Sequence, residues 1–278
     1  MANTQDRNEL KKKIIHKARQ LGADLIGFAS INQWQEHQDV KPEFYPQHLF
    51  SFTKTVIVLG IPILSPMLDT TPSIVYSELY NTTNRLLDDI AYQLSVYLNK
   101  QTYRTVFFPR DAYGDISILV KKPEAAFSHV IAGKYAGIGT IGYNHTLLTK
   151  EYGPRVRLVS IFTDAEITPD NLIEKELCIK CELCGKCCPT SAFTTTANLI
   201  ANMDKFKCAE YHAQLKNEYH YPCGVCIKVC PIGKDKKLYG NNSIKYLNEK
   251  NELNQDPSAN KYSDWVHIRS FGSKSKNK

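Results

Sequence analysis

All nine cysteines of this 278-residue chain lie between Cys178 and Cys230, and the 177 residues before them contain none. They open as Cys178-Ile-Lys-Cys181-Glu-Leu-Cys184-Gly-Lys-Cys187-Cys188-Pro189 and close as Cys223-Gly-Val-Cys226-Ile-Lys-Val-Cys230-Pro231, with Cys208 between. A secreted disulfide scaffold is small, spreads its cysteines along the chain and follows a signal peptide. Here residues 1–13 are polar, with neither an apolar signal core nor a twin-arginine pair. No run approaches the roughly 20 apolar residues of a membrane span. The pattern implies a cytoplasmic protein, without a membrane partner, that uses its thiols for metal.

Spacing decides which metal. Zinc sites pair knuckles that each supply two ligands. Skipping Cys187, this chain instead reads C-x2-C-x2-C-x3-C-P, three thiolates for one [4Fe-4S] cluster and a Cys-Pro thiolate for a second, as in bacterial ferredoxins. C-x2-C-x3-C-P at the far end is a variant of the same unit. One cluster then takes Cys178, Cys181, Cys184 and Cys230. The other takes Cys188, Cys223 and Cys226, and needs Cys208 as its fourth ligand. Cys187 is left over as a small buried hydrophobe; its alternative is to replace Cys188, but Pro189 and the x3 gap select Cys188. Two adjacent clusters form a wire for single electrons, so the preceding residues are expected to hold the acceptor.

With 42% hydrophobic and 23% charged residues the chain can form a large core with an appended module. The formal charge of +7 invites a nucleic-acid reading, but two clusters of charge −2 on thiolates bring it to roughly +3, and Lys274, Lys276 and Lys278 at the C-terminus supply as much. A solvated surface is the simpler account.

Leu10, Ile14, Ala18 and Leu21 share a helical face over Glu9 to Leu21, with Gly22 where a C-cap belongs. Asp24 to Ser30 reads as a short buried strand. Thr55-Val-Ile-Val-Leu-Gly-Ile61, β-branched and apolar on both faces, is an internal strand covered by helices. A loop from Pro62 to Pro72 precedes a helix from Ser73 to about Asn99; Tyr103 to Phe108 and Arg155 to Thr163 are further strands. Pro123 is expected to start a helix reaching Ala136. Residues 199–211 look helical, and one helix is expected near Ser243 to Lys250. The fold class is therefore α+β: an N-terminal three-layer α/β-type domain over 1–170, a double-[4Fe-4S] ferredoxin-like module over 171–240 and a polar tail over 241–278.

Ala136-Gly-Ile-Gly-Thr-Ile-Gly142 places three glycines in six residues. It mimics a dinucleotide fingerprint, but it follows a helix, whereas that fingerprint follows a strand and opens a helix. The glycines instead signal a tight turn, or close approach of a cofactor or another chain segment.

This loop, Glu151-Tyr-Gly153, Thr163-Asp164, the cysteine module with Cys188-Pro-Thr190, and the landmarks Leu21 to Gly27 and Lys54 to Gly60 together resemble the epoxyqueuosine reductases and their relatives, the corrinoid-dependent reductive dehalogenases. The resemblance runs from about residue 9 to 235. It implies a nitroreductase-like, corrinoid-binding N-terminal domain, with a cobalamin held against the module, reduced by the two clusters and used for reductive deoxygenation or elimination. It also implies a low-potential ferredoxin- or flavodoxin-type donor and a small-molecule or modified-nucleoside substrate. Gly137, Gly139, Thr140 and Gly142 would lie against the corrin, and Cys208 would be a cluster ligand.

Three departures point to a shorter sister branch. The acidic proton donor proposed for the tRNA enzyme, about thirteen residues before its glycine loop, is matched here by Pro123. The tryptophan of its loop is Thr140, and the helical-repeat tail that helps it grip tRNA is missing, so tRNA is a weaker partner than a small molecule. His129, two helical turns before Ala136, is then the candidate proton donor, ahead of Asp115, Tyr113 and Tyr143. The other functional classes compatible with the sequence are an electron-transfer partner without its own substrate and a corrinoid reactivation or trafficking protein.

Overall fold

The computed structural model describes residues 4–111, 113–255 and 265–270. Its centre is a four-stranded sheet of β1 (Leu25–Ser30), β2 (Thr55–Pro62), β3 (Thr105–Phe108) and β6 (Val156–Thr163), in the order β1-β2-β6-β3. All three pairings are antiparallel, with Ile57 opposite Phe28 on one side and Ile161 on the other. Alternation of side chains gives the sheet two buried faces. Phe28, Ile57, Leu59, Val159 and Ile161 pack against Ile14 and Ala18 of the helix Thr4–Gln20 and Leu87, Ile90 and Leu94 of the helix Ile74–Asn99. Val56, Val58, Leu158 and Phe162 meet Trp34, Phe127, Ala132 and Tyr135. The result is a mixed α/β fold of three layers. An apolar strand sandwiched by helices is as compatible with antiparallel as with parallel pairing, which is why run composition left the pairing open.

Capping explains most helix boundaries. Ser73 accepts from Tyr76 N at 3.2 Å and starts the long helix. Helix His129–Tyr135 begins at Ser128, whose Oγ accepts from Ile131 N at 3.2 Å, rather than at Pro123. A helix over Ile116–Lys121, which periodicity does not reveal in six residues, is capped by Asp115. The helix expected over residues 199–211 lies at Lys205–Asn217, behind the cap Asp204.

After the helix His129–Tyr135 the chain forms a hairpin, β4 (Gly139–Ile141) and β5 (Leu147–Thr149). The cysteine segment has little regular structure, but its quasi-repeat is visible in the backbone. Glu182 after Cys181 (φ 60°) and Gly224 after Cys223 (φ 68°) are both left-handed, and each opens a one-turn helix, Leu183–Lys186 or Val225–Lys228. The helix expected near Ser243 to Lys250 spans Ser243–Gln255, and a further, unexpected helix spans Val266–Ser270; Tyr246, Glu249 and Arg269 in this polar stretch are buried. Lys274, Lys276 and Lys278 lie outside the described residues.

Candidate redox site

The thiols fall into two neighbourhoods. Cys178, Cys181, Cys184 and Cys230 surround a small void, together with Tyr143, Asn144, Leu148 and Ile232. Burial pushes the Cys184 thiol up to about 12, and Cys230, Cys181 and Cys178 add to the shift. Cys188, Cys208, Cys223 and Cys226 form the second neighbourhood. Burial pushes Cys223 up to about 12 and Cys208 to about 11, and in both cases other members of this group reinforce it. Cys226 is raised well above its usual value, by burial first and then by Cys223, Cys208, Cys184 and Cys188. Clustered, buried thiols resist ionisation until a cationic centre compensates them. Among the described residues, no three His, Cys, Asp or Glu side chains converge closely enough to hold a single metal ion. Groups of four thiols of this kind are donor sets that an iron–sulfur cluster core can take. Backbone N–H groups already point at two sulfurs: Tyr143 N donates to Cys178 Sγ at 3.5 Å and Ala192 N to Cys188 Sγ at 3.4 Å.

Cys187 sits elsewhere. It is buried with Val225, Val229 and Tyr246, and it borders a small crevice shared with Thr71 and Glu249.

The thiol segment is gripped by the start of β6. Arg155, fully buried, donates to both carboxylate oxygens of Asp235, to Cys230 O at 2.9 Å and to Ile232 O at 2.5 Å. Gly153, at φ 53°, lets Ile232 O approach to where a Cβ would stand.

A cavity of about 560 Å³ lies beside this module. Its apolar walls include Phe127, Leu147, Val156 and Leu158; its polar lining includes Arg110, Tyr113, His129 and Arg157. The floor is shared with the cysteine segment. Ile227, between Cys226 and Cys230, lines the cavity, as does Tyr76, whose ring abuts Gly224.

The glycine loop reaches this cavity only indirectly. A Cβ on Gly139 would strike Leu148 O, one on Gly137 would strike Asn171 O, and one on Gly142 would strike the Leu148 side chain. Close approach of chain segments thus accounts for all three. Buried Thr140 accepts at Oγ1 from Leu177 N at 3.0 Å. None of these four residues lines the cavity; the hairpin they shape does so through Thr146 and Leu147. On its other side the same turn uses Asn144 Nδ2 to donate to Cys226 O at 3.2 Å.

His129 lines the cavity, but both ring nitrogens are engaged. Pro109 O can only accept, so Nε2–H donates to it at 3.1 Å, and Nδ1 accepts from Ser160 Oγ at 2.8 Å. Burial lowers its pKa to about 4. This is the geometry of a neutral structural histidine. Asp115 is a helix cap paired with Lys216, and Tyr143 Oη is bonded to Thr195. Tyr113 lines the cavity, and its hydroxyl lies 2.6 Å from Tyr221 Oη.

Behind Tyr113 lies a polar network that periodicity concealed. Arg157 donates to Asp111 at 3.0 Å and to Asn84 at 2.9 Å, while its guanidinium lies 4.5 Å from the Tyr80 ring centre. Tyr80 Oη donates to Asp111 at 2.8 Å. Tyr76, Tyr80 and Asn84 recur every four residues on one buried helix face. That polar-aromatic stripe was the available signal.

No family model matches the chain. A tetrachloroethene reductive dehalogenase of Dehalobacter restrictus is 23% identical over 265 residues, covering 88% of this chain and 42% of the relative. An epoxyqueuosine reductase of Bacillus anthracis is 26% identical over 258 residues, covering 82% of this chain and 66% of the relative. Among solved structures, a reductive dehalogenase described in terms of B12-dependent dehalogenation superposes with a TM-score of 0.64 at 17% identity, covering 92% of this chain and 36% of that one. The homologues of this chain are reductive dehalogenases and epoxyqueuosine reductases, and its structural neighbours are of both kinds. The chain spans less than half the length of the dehalogenases and 66% of the reductases. Among the described residues no helix is long and apolar enough to cross a membrane.

Proposed function

We propose that this chain is an iron–sulfur oxidoreductase in which two [4Fe-4S] clusters, on Cys178/Cys181/Cys184/Cys230 and Cys188/Cys208/Cys223/Cys226, pass electrons to a cobalamin in the cavity for reductive deoxygenation or elimination. The observation that carries it is the shared wall: Ile227 and Tyr76 border the cavity while touching the segments that bear Cys223, Cys226 and Cys230. A bound corrinoid would supply the low-potential metal chemistry that breaks a carbon–oxygen or carbon–halogen bond. Phe127, Leu147, Val156, Leu158 and Ile227 would hold its apolar faces, and Thr146 its polar edge.

The chain's own residues exclude water and deliver the proton. Tyr113 is the proton source on this reading, because it lines the cavity and its hydroxyl is backed by Tyr221. Burial raises the Tyr113 pKa, so it stays protonated until a strongly basic product forms beside it. Arg157 supplies positive charge near that position. Electrons come from a ferredoxin- or flavodoxin-type donor in the cytoplasm, where the nine free cysteines stay reduced.

A cavity of this size favours an enzyme over a pure electron carrier or a trafficking protein. A small molecule is the favoured substrate; epoxyqueuosine on tRNA is the alternative suggested by the reductase homologues. Anaerobically purified protein with about eight irons per chain should bind added cobalamin with a saturable spectral change. Intact clusters without such binding would sink the corrinoid reading. Accumulation of epoxyqueuosine in a deletion strain would select the tRNA substrate.

A further inference from the structure

The two thiol neighbourhoods differ in the charge around them. At the first, Cys181 is exposed and Ile179 beside it is 65% exposed. The Arg155 guanidinium close to Cys230 is answered by both oxygens of Asp235. Buried Lys236 lies within reach of the carboxylates of Asp69 and Asp235. Charges there are balanced, and water reaches the edge.

At the second neighbourhood one cation, Lys228, is fully buried and another, Lys250, half-buried. Lys250, on the C-terminal helix, donates through Nζ to Cys188 O at 2.5 Å and Pro189 O at 3.0 Å. Both partners are neutral carbonyls, and no carboxylate among the described residues forms an ion pair with this ammonium. Lys228, 1% exposed and two residues beyond Cys226, donates to Glu249 at 2.6 Å and to Asp69 O at 3.1 Å. Glu249 uses its other oxygen to accept from Arg269 at 3.0 Å, and the Asp69 carboxylate also lies within reach of Lys228, so of the two lysines it is Lys250 that has no carboxylate against it among the described residues. A buried or half-buried positive charge stabilises an added electron more than an exposed one, because water screens it less.

We propose that Lys250 and Lys228 hold the cluster on Cys188/Cys208/Cys223/Cys226 at a higher reduction potential than its neighbour. Electrons delivered at the Cys181–Ile179 edge then come to rest beside Tyr76 and the cavity. In each transfer a reduced ferredoxin- or flavodoxin-type donor is oxidised by one electron, the outer cluster relays it, the inner cluster is reduced, and no proton moves. The C-terminal helix acts as a positioning element that fixes the direction of the wire. This inference rests on the two-cluster reading.

The test is an EPR-monitored redox titration of the reconstituted full chain. Wild type should show two midpoints. In Lys250→Gln, the upper midpoint should fall so that the ratio of reduced to oxidised inner cluster drops about tenfold at a fixed potential, ~59 mV for one electron, with the lower midpoint unmoved. Lys250→Arg should restore the upper value, and Glu249→Gln should move the same midpoint upward. If Lys250→Gln loses iron, the Glu249→Gln arm decides alone. Unchanged midpoints with eight irons retained, or a shift of the lower one, would overturn the proposal. Wild type that never takes up more than four irons would overturn the two-cluster reading itself.

Discussion

Arg155 Nε and Nη2 meet Asp235 Oδ2 and Oδ1 at 2.5 and 2.7 Å, a two-bonded ion pair that joins the edge of β6 to the segment just past Cys230. The same guanidinium holds the carbonyls of Cys230 and Ile232. Its planar fork spans these acceptors together, which a lysine ammonium cannot do. Arg155→Lys should therefore lose iron from the Cys178/Cys181/Cys184/Cys230 site. Arg155→Met, which strands the Asp235 carboxylate, should cost about 3–5 kcal/mol in stability. Iron analysis and denaturant unfolding under anaerobic conditions check both; full iron content in Arg155→Lys would show that the clamp does not position Cys230.

Gly139→Ala tests what the glycine loop is for. A Cβ there would collide with Leu148 O, so the β4–β5 hairpin must open. Destabilisation is expected to reach a few kcal/mol, the range for overpacking a filled site. If the glycine instead only made room for a corrin, the protein without cofactor would keep wild-type stability and only cobalamin titration would suffer.

Spacing made the thiol grouping legible, because a C-x2-C-x2-C run and a distant Cys-Pro are local constraints on where sulfurs can point. The run Thr55 to Ile61 was equally legible as a buried strand. The cavity was not, since its walls come from separated residues such as Val40, Tyr113, Leu147 and Ile227 that only tertiary packing brings together. The burial of the C-terminal helices escaped for a related reason. Tyr246, Glu249 and Arg269 carry it, two of them charged, while the apolar Ile244 is exposed, so the buried face is not the apolar stripe that periodicity registers. His129 misled because its position along the helix was right for the cavity, while its two hydrogen bonds are non-local.

The burial of His129 has a consequence in acid. The folded pKa of His129 is about 4, below the ordinary value near 6.5. His212, also lowered to about 4 by burial, behaves alike. Between these values the unfolded chain takes up protons that the folded chain refuses. Stability from both groups is therefore fully present above pH ~6.5 and lost as pH falls towards 4, with a slope of at most about 1.4 kcal/mol per unit for each histidine. Chemical denaturation at pH 7.0, 6.0 and 5.0 should show this loss, and His129→Gln should reduce its slope. An unchanged slope would mean that His129 is already charged in the folded state.

The unequal fates of two cysteines separate ligand from packing. Cys187→Ser should retain about eight irons per chain, because that thiol borders the crevice with Val225, Val229 and Tyr246 and not the void that Cys178, Cys181, Cys184 and Cys230 surround. Cys208→Ser should lose one cluster and leave about four. Equal losses from the two variants would reassign the ligands.

Removing only the hydroxyl of Tyr113 addresses the proton. Tyr113→Phe keeps the ring against the cavity and leaves Tyr221 without its 2.6 Å partner. Loss of a general acid costs typically 10²- to 10⁴-fold in rate, so turnover of an accepted substrate should fall by about that factor while iron content and cobalamin affinity hold. His129→Gln, by contrast, should lower stability with little change in the rate of the remaining folded protein. Between pH 5.5 and 8 the wild-type rate should show no limb that this variant abolishes, because a histidine with a pKa of about 4 is neutral throughout that window. A Tyr113→Phe enzyme of wild-type rate, or a His129→Gln enzyme folded but inactive, would return the proton to the imidazole.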